Sequence, residues 1–275
     1  MLLVLDVGNT NTVLGLYVAK NGTSYNTLTA HWRVATVKSQ TVDEYGVLFH
    51  NLFALDGIKS KDIKNIIISS VVPPMDSTLR DVCERHFHIE PVFVEPGLKT
   101  GMPVLTDNPA EVGADRIVNS VAAFEKHGGP CIVVDFGTAT TFDVVSAKGE
   151  YLGGAIAPGI GISADALFSR AARLSRVDVR KPTGKSVIGK NTTSHMQIGL
   201  YYGYLGLVDG ILERMLQEIG AKTNVVATGG LAPLIAEGSK FIQHVDDLLT
   251  LEGLRILWER NAAPSSGKPV RSGKR

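Results

Sequence analysis

The amino-acid sequence predicts an α/β fold: two similar domains with mixed β-sheets, facing each other across a cleft. Three observations carry this expectation. The chain has 275 residues, too many for one small core, so two domains of ordinary size are expected. In the first half, three strand patterns precede alternating helical and strand patterns, as in an α/β domain. The opening of the chain also recurs. Residues 2–5 are an apolar run that enters Asp6-Val7-Gly8-Asn9-Thr10-Asn11-Thr12, and residues 131–134 enter Asp135-Phe136-Gly137-Thr138-Ala139-Thr140-Thr141. Laid side by side without a gap, the two segments share the Asp, the Gly and the final Thr, and each sits at a strand–turn–strand junction. An internal repeat of this kind implies two similar domains. The expected division is residues 1–120, residues 121–260 and a basic tail over 261–275.

Each element follows from its own pattern. Residues 2–5 read as a buried strand and residues 13–18 as its return, because Gly8 and Asn9 tolerate the positive φ that a tight turn demands. Residues 31–35 read as a third strand. Val47, Leu48, Leu52, Phe53 and Leu55 recur at helical spacing and predict a helix over 43–55 that closes at Gly57. Residues 66–72 form a continuous apolar strand stopped by Pro73 and Pro74. A helix near 76–87 and a strand near 91–94 complete the half. In the second half, residues 131–134 and 142–145 flank the second turn. Residues 224–234 read as a strand, a double-glycine turn at Gly229 and Gly230, and a helix start.

Composition narrows the function. Hydrophobic residues are 44% and charged residues 20%, a globular balance rather than a disordered one. The formal net charge of +1 argues against a nucleic-acid or polyacidic partner. The one basic cluster, residues 268–275, is mixed with Ser, Gly and Pro and is expected to be a solvated, disordered end. Cys83 and Cys131 fall in different elements without metal-ligand spacing, which fits a reducing cytosol. The apolar start lacks a basic flank and meets Asp6 at once, so it reads as a strand and not a signal peptide. No apolar run nears the roughly 20 residues of a membrane span. The expectation is a cytoplasmic protein with neither a membrane nor a nucleic-acid partner.

The turns carry the chemistry. An Asp at a strand end followed by x-Gly-x-Thr sets a carboxylate beside backbone N–H groups that can cradle phosphate oxygens, with glycine allowing close approach. A carboxylate tolerates phosphate only with a cation between them. One such turn alone is an ordinary hairpin; two copies headed by Asp and rich in Thr point to a nucleotide. Gly229 and Gly230 would let a flat adenine or ribose lie on the backbone, or would merely pack a helix start tightly. In the segment 107–119, Asn108 as N-cap, Pro109 at the first helical position and Glu111 in the first turn predict one helix start, with Ile117, Val118, Val121 and Ala122 on its apolar face. Asp115 and Asn119 project from one side of that helix. Asp115 is a candidate base with Arg116 beside it for an anionic group; read alone, the segment favours a surface ion pair of the two. His86 and His88 have no further ligand at metal spacing. Walker and Gly-x-Ser-x-Gly motifs are absent, which argues against a P-loop kinase and the simplest hydrolase.

Taken in order, seven segments resemble the type III pantothenate kinases, a bacterial family of the acetate and sugar kinase, heat-shock chaperone and actin superfamily. They are Asp6-Val7-Gly8-Asn9-Thr10, Ser69-Ser70-Val71-Val72-Pro73, Gly113-Ala114-Asp115-Arg116, Asp135-Phe136-Gly137-Thr138-Ala139-Thr140, Gly153-Gly154-Ala155-Ile156-Ala157-Pro158-Gly159, Gly189-Lys190-Asn191-Thr192 and Thr228-Gly229-Gly230. The resemblance runs from Met1 to about Trp258. It implies two ribonuclease H-like, actin-like ATPase domains with the nucleotide in the cleft between them. It implies that ATP phosphorylates pantothenate to 4′-phosphopantothenate, the first step of coenzyme A synthesis. By resemblance, Asp6, Val7, Gly8, Asn9, Thr10, Asn11, Thr12 and Val13 bind the ATP phosphates and, through Asp6 and water, Mg²⁺. Thr138, Gly229 and Gly230 also serve ATP. Asp115 takes the substrate hydroxyl proton, while Gly113, Ala114, Arg116 and Thr192 contact pantothenate. Asp135 holds a monovalent cation, K⁺ or NH₄⁺. A homodimer is implied, with pantothenate near its interface. One departure is Thr106, where the family usually carries a pocket Tyr. The competing readings are a non-catalytic regulator and another small-molecule kinase on this fold; Asp6, Asp115 and Asp135 argue against the first, and Gly113-Ala114-Asp115-Arg116 against the second.

Overall fold

The computed structural model describes residues 1–20, 24–171, 173–184 and 186–262. The first half runs β1 (Leu2–Val7), β2 (Asn11–Lys20), β3 (Ser24–Ala35), α1 (Val42–Leu55), β4 (Asn65–Ser70), α2 (Asp76–Val82) and β5 (Val92–Phe93). Helix α3 (Ala114–His127) leads to β6 (Cys131–Phe136), β7 (Ala139–Val145), β8 (Tyr151–Pro158), α4 (Ile160–Arg170), α5 (Thr192–Ile219), β9 (Asn224–Thr228), α6 (Ala232–Ala236), β10 (His244–Val245) and α7 (Leu249–Ala262). Asn261 and Ala262 thus close α7, and the rest of the expected basic tail lies outside the described residues.

The repeat predicted from the two turns extends to whole sheets. One sheet has the order β3-β2-β1-β4-β5 and the other β10-β9-β6-β7-β8. In each, the strand that ends in Asp-x-Gly is central. It pairs antiparallel with the next strand and parallel with the strand after a helical excursion. The connectivity is therefore the same, strand for strand.

Two-residue periodicity decides where the carboxylates go. On β1, Leu3, Leu5 and Val7 join the core under α1 and α2, with Tyr45, Phe49, Phe53 and Leu79. Leu2 and Val4 face the other way, into a core shared with Val118 and Val121 of α3 and Leu254 and Leu257 of α7. Asp6 continues that second face. On β6, Ile132, Val134 and Phe136 pack with α5 and α6, while Cys131 and Val133 join the same shared core. Asp135 continues their face. Helices α3 and α7 thus lie between the two sheets, and both Asp residues end on inner faces above them.

Several boundaries differ from the sequence reading. Strand β3 begins at Ser24, well before residue 31, because its edge position needs only alternate burial and not an apolar run. The helix expected to residue 87 changes at Val82 into one π-helical turn, Cys83–Phe87, closed by His88 at φ 57°. The strand expected to residue 72 ends at Ser70, where Ser70 Oγ turns to Asp76. The single helix start expected at Asn108 is two structures. Asn108 caps a short 3₁₀ turn, Pro109–Glu111, and α3 begins afresh at Ala114 behind Gly113. That break sets Asp115 in the first turn of α3 instead of its second.

Candidate active site

The two Asp-x-Gly turns meet. Gly8 N donates to Asn11 O and Gly137 N donates to Ala139 O, each at 3.0 Å, closing the two hairpins. At their tips Thr10 Oγ1 and Thr138 Oγ1 share a 3.0 Å hydrogen bond. The turns differ by one residue: Asp6 pairs with Val13, whereas Asp135 pairs with Thr141. In strand register Thr12 therefore matches Thr140, both fully buried, and the ungapped alignment that matched Thr12 with Thr141 is corrected. The extra residue sits in the tip of the first turn, where a repeat judged by sequence offers no marker for a gap.

Asp6, Asp115 and Asp135 open onto one cleft of about 550 Å³, lined also by Gly8, Asn9, Thr10, Asn11, Val13, Thr138, Gly229 and Gly230. Val7 and Thr12 are buried behind the turn and do not line it. Gly113, Ala114, Arg116 and Thr192 are also off its surface; Thr192 opens α5 as an exposed residue behind the Asn191 cap. Gly229 has φ +90°, and a Cβ there would lie 2.6 Å from Asp135 Oδ1 and 2.7 Å from Phe136 O, so only glycine keeps this wall of the cleft in place.

Arg116 does not form a surface pair with Asp115. Its Nε donates to Asp143 Oδ1 at 2.7 Å, and the same oxygen accepts from Tyr151 OH at 2.7 Å. Asp115 Oδ1 instead accepts from Arg116 N at 2.8 Å. One turn along α3, Asn119 Nδ2 donates to Asp135 Oδ2 at 3.0 Å, while its Oδ1 is buried without a partner. Sequence reasoning missed Asp143, although a charge inside the apolar return strand 142–145 was itself a signal. It also missed Arg33, Asp165 and Asp247 in the cleft wall, which carried no motif. Thr106 Oγ1 is buried and unpartnered, and its methyl group lies toward Gly153, 3.7 Å from where a Cβ there would sit.

A sequence profile described as type III pantothenate kinase matches residues 2–214. The chain belongs to that family. A type III pantothenate kinase of Koribacter versatilis is 71% identical over 265 residues, covering 95% of this chain and 96% of its own. Two solved structures share the fold at low identity. A candidate 2-dehydro-3-deoxygalactonokinase of Sinorhizobium meliloti has a TM-score of 0.57 and 12% identity, covering 98% of this chain and 99% of its own. A candidate Baf family transcriptional activator of Campylobacter jejuni has a TM-score of 0.56 and 18% identity, covering 94% and 98%. The fold is therefore an α/β fold of two mixed five-stranded sheets with helices, shared with these two structures. As a type III pantothenate kinase, the protein phosphorylates the pantothenate hydroxyl with ATP, a step of coenzyme A biosynthesis.

The electrostatics of the cleft suit a kinase that works with a divalent metal. Burial raises Asp6 to about 8, with the neighbouring Asp115 and Asp135 adding to it and Arg33 opposing. Burial likewise raises Asp135 to about 7, helped by Asp115 and Asp143 and opposed by the Asn119 hydrogen bond and Arg33. Asp115 is raised by burial against its contacts with Arg116. Three carboxylates that resist ionising together are a place where positive charge binds well. No group of three or more His, Cys, Asp or Glu among the described residues is arranged to grip a bare ion. Mg²⁺ in phosphoryl-transfer sites keeps several waters and binds through one or two carboxylates plus substrate phosphates, and Asp6 on the cleft wall is a donor of that type. No helix among the described residues is long and apolar enough to cross a membrane.

Proposed function

We propose that this pantothenate kinase divides its labour between the two turns, the first serving the Mg²⁺–phosphate end of ATP and the second a monovalent cation beside it. The observation that carries this reading is the meeting of the turns at Thr10 and Thr138, with Asp6 and Asp135 opening onto one cleft. Asp6 and the turn from Val7 to Val13 hold the ATP phosphates and, through water, Mg²⁺. Thr138 touches ATP, and Gly229 and Gly230 admit its nucleoside. Bound Mg²⁺ supplies charge neutralisation to the phosphates.

The protein's own residues do the rest. Asp115, at the first turn of α3, orients the substrate hydroxyl and accepts its proton late in the transfer. An ordinary Asp at about 3.9 is a weak base toward an alcohol, and the upward shift of Asp115 brings it nearer that task. Gly113, Ala114, Arg116 and Thr192 contact pantothenate. Asp143 and Tyr151 hold Arg116 from behind and leave its terminal nitrogens for an anionic group. Asp135 takes K⁺ or NH₄⁺, a reading supported by the buried, unpartnered Asn119 Oδ1 beside it.

The same reading includes a cytoplasmic homodimer with domains over residues 1–120 and 121–260. Strand β8 ends its sheet, with Val104 bridging it at Tyr151, and exposes Leu152 and Ile156, the latter by 66%, as an apolar edge would if a second copy covered it. The buried cysteines Cys83 and Cys131 are both free, which suits a reducing compartment. The test is ADP release with pantothenate, with and without K⁺. Pantothenate-dependent turnover that rises with K⁺ is expected; no turnover in either condition would favour a non-catalytic regulator.

A further inference from the structure

The cleft that must hold a polyphosphate is itself strongly acidic. Asp6, Asp115, Asp135, Asp165 and Asp247 line it, and among the described residues Arg33 is the one basic side chain that does. Arg33 stands in a row across the first sheet. Asp6 of β1 pairs with Val13 of β2, and Val13 pairs with Arg33 of β3. Residues paired across antiparallel strands point to the same face, and strands lie roughly 4.8 Å apart, so the Arg33 backbone is about 10 Å from that of Asp6. A guanidinium on that stem spans the distance over the phosphate turn. Its reach is visible on the far side: Arg33 Nη1 lies 3.8 Å from where a Cβ on Gly230 would stand, so it bridges the first sheet and the double-glycine loop of the second half.

This guanidinium is uncommitted. Arg33 is exposed and acts on Asp6 and Asp135 through its charge, but no ion pair or side-chain hydrogen bond joins it to another described residue. An arginine that shares its cleft with five carboxylates, in a kinase cleft without a lysine among its described lining residues, is placed to meet the charge that arrives with the nucleotide.

We propose that Arg33 is a phosphate-binding residue of this enzyme, a clamp that reaches from the first sheet over the Asp6 turn to the ATP phosphates. The proposal rests on the reading of the cleft as the ATP site. It makes Arg33 a group that touches substrate, and it distinguishes the phosphate end of the nucleotide from the adenosine end.

The test is calorimetric binding of Mg²⁺-ATP and of adenosine to the full chain and to Arg33→Ala and Arg33→Lys variants. A charge-assisted hydrogen bond to phosphate corresponds to a loss on the order of 10- to 100-fold when removed. Arg33→Ala is therefore expected to weaken ATP by that factor and leave adenosine unchanged, with Arg33→Lys restoring part of the ATP affinity. Unchanged ATP affinity in Arg33→Ala would overturn the clamp. An equal loss for ATP and adenosine would also overturn it, because a residue that only shapes the cleft acts on both. If the unaltered chain bound no ATP, the clamp and the reading of the cleft would fall together.

Discussion

The two halves build the same row of side chains and finish it differently. In the first sheet the row is Asp6, Val13, Arg33; in the second it is Asp135, Thr141, Ile156. The sheets share connectivity, and each row begins with an inward carboxylate on the central strand. The edge residue then diverges, to a cation over the cleft in one half and to an exposed apolar side chain in the other. The first turn also carries one residue more. The shared connectivity thus supplies matching backbone cradles, and the strands farthest from the centre, where packing constrains least, are where the two halves diverge.

Asp115 lies outside this comparison, and its removal is expected to have the largest effect. Asp115→Asn should lower kcat by about 10²- to 10⁴-fold while ATP binding persists, because general-base contributions are of that size. Steady-state turnover beside calorimetric ATP binding checks this, and unchanged turnover would sink the role.

The two turns can then be set against each other. Asp6→Asn is expected to lose most Mg²⁺-dependent turnover whatever the K⁺ concentration. Asp135→Asn should lower turnover and abolish the response to K⁺. Titrations of both cations in both variants make the comparison, and identical responses would show that the turns are equivalent after all.

Stability should carry the same signature more gently. A carboxyl group raised to about 8 or 7 in the folded chain holds a proton that the unfolded chain has already released above about 4. The folded state then binds more protons than the unfolded one across that window, so stability without ligands falls as pH rises through it. Melting of the metal-free protein is expected several degrees lower at pH 8.5 than at pH 5.5, with Asp6→Asn flattening the difference. A melting temperature that rises with pH would contradict the shared burial of the carboxylates.

The smallest effect on chemistry is expected at the far end of the second row. Ile156→Glu should leave the fold intact, since the side chain is exposed, and shift the protein from dimer to monomer in sedimentation. A dimer that survives the charge would move the interface away from β8.

Much of this was legible beforehand because it depends on local pattern. Leu2, Val4 and Asp6 alternate with Leu3, Leu5 and Val7, and that period alone sends the carboxylate to one face of a strand. Gly229 could be picked out because a positive φ and a crowded Cβ position leave a glycine in the sequence. Asn119 was seen on the side of α3 that carries Asp115, but not its hydrogen bond to Asp135, which spans two elements. The break before α3 was hidden too: Asn108, Pro109 and Glu111 make a sound start, and nothing local says that it lasts one 3₁₀ turn.

By itself the sequence determined the two carboxylate turns, the central strands that bear them and the family to which the chain belongs. Only the tertiary structure decided that the turns touch at Thr10 and Thr138, that Arg116 is held by Asp143 rather than Asp115, and that Arg33 shares one cleft with five acids. The physical reason is range. Strand and turn patterns are set by near neighbours along the chain, whereas charge and burial in the cleft are set by residues brought together from both sheets.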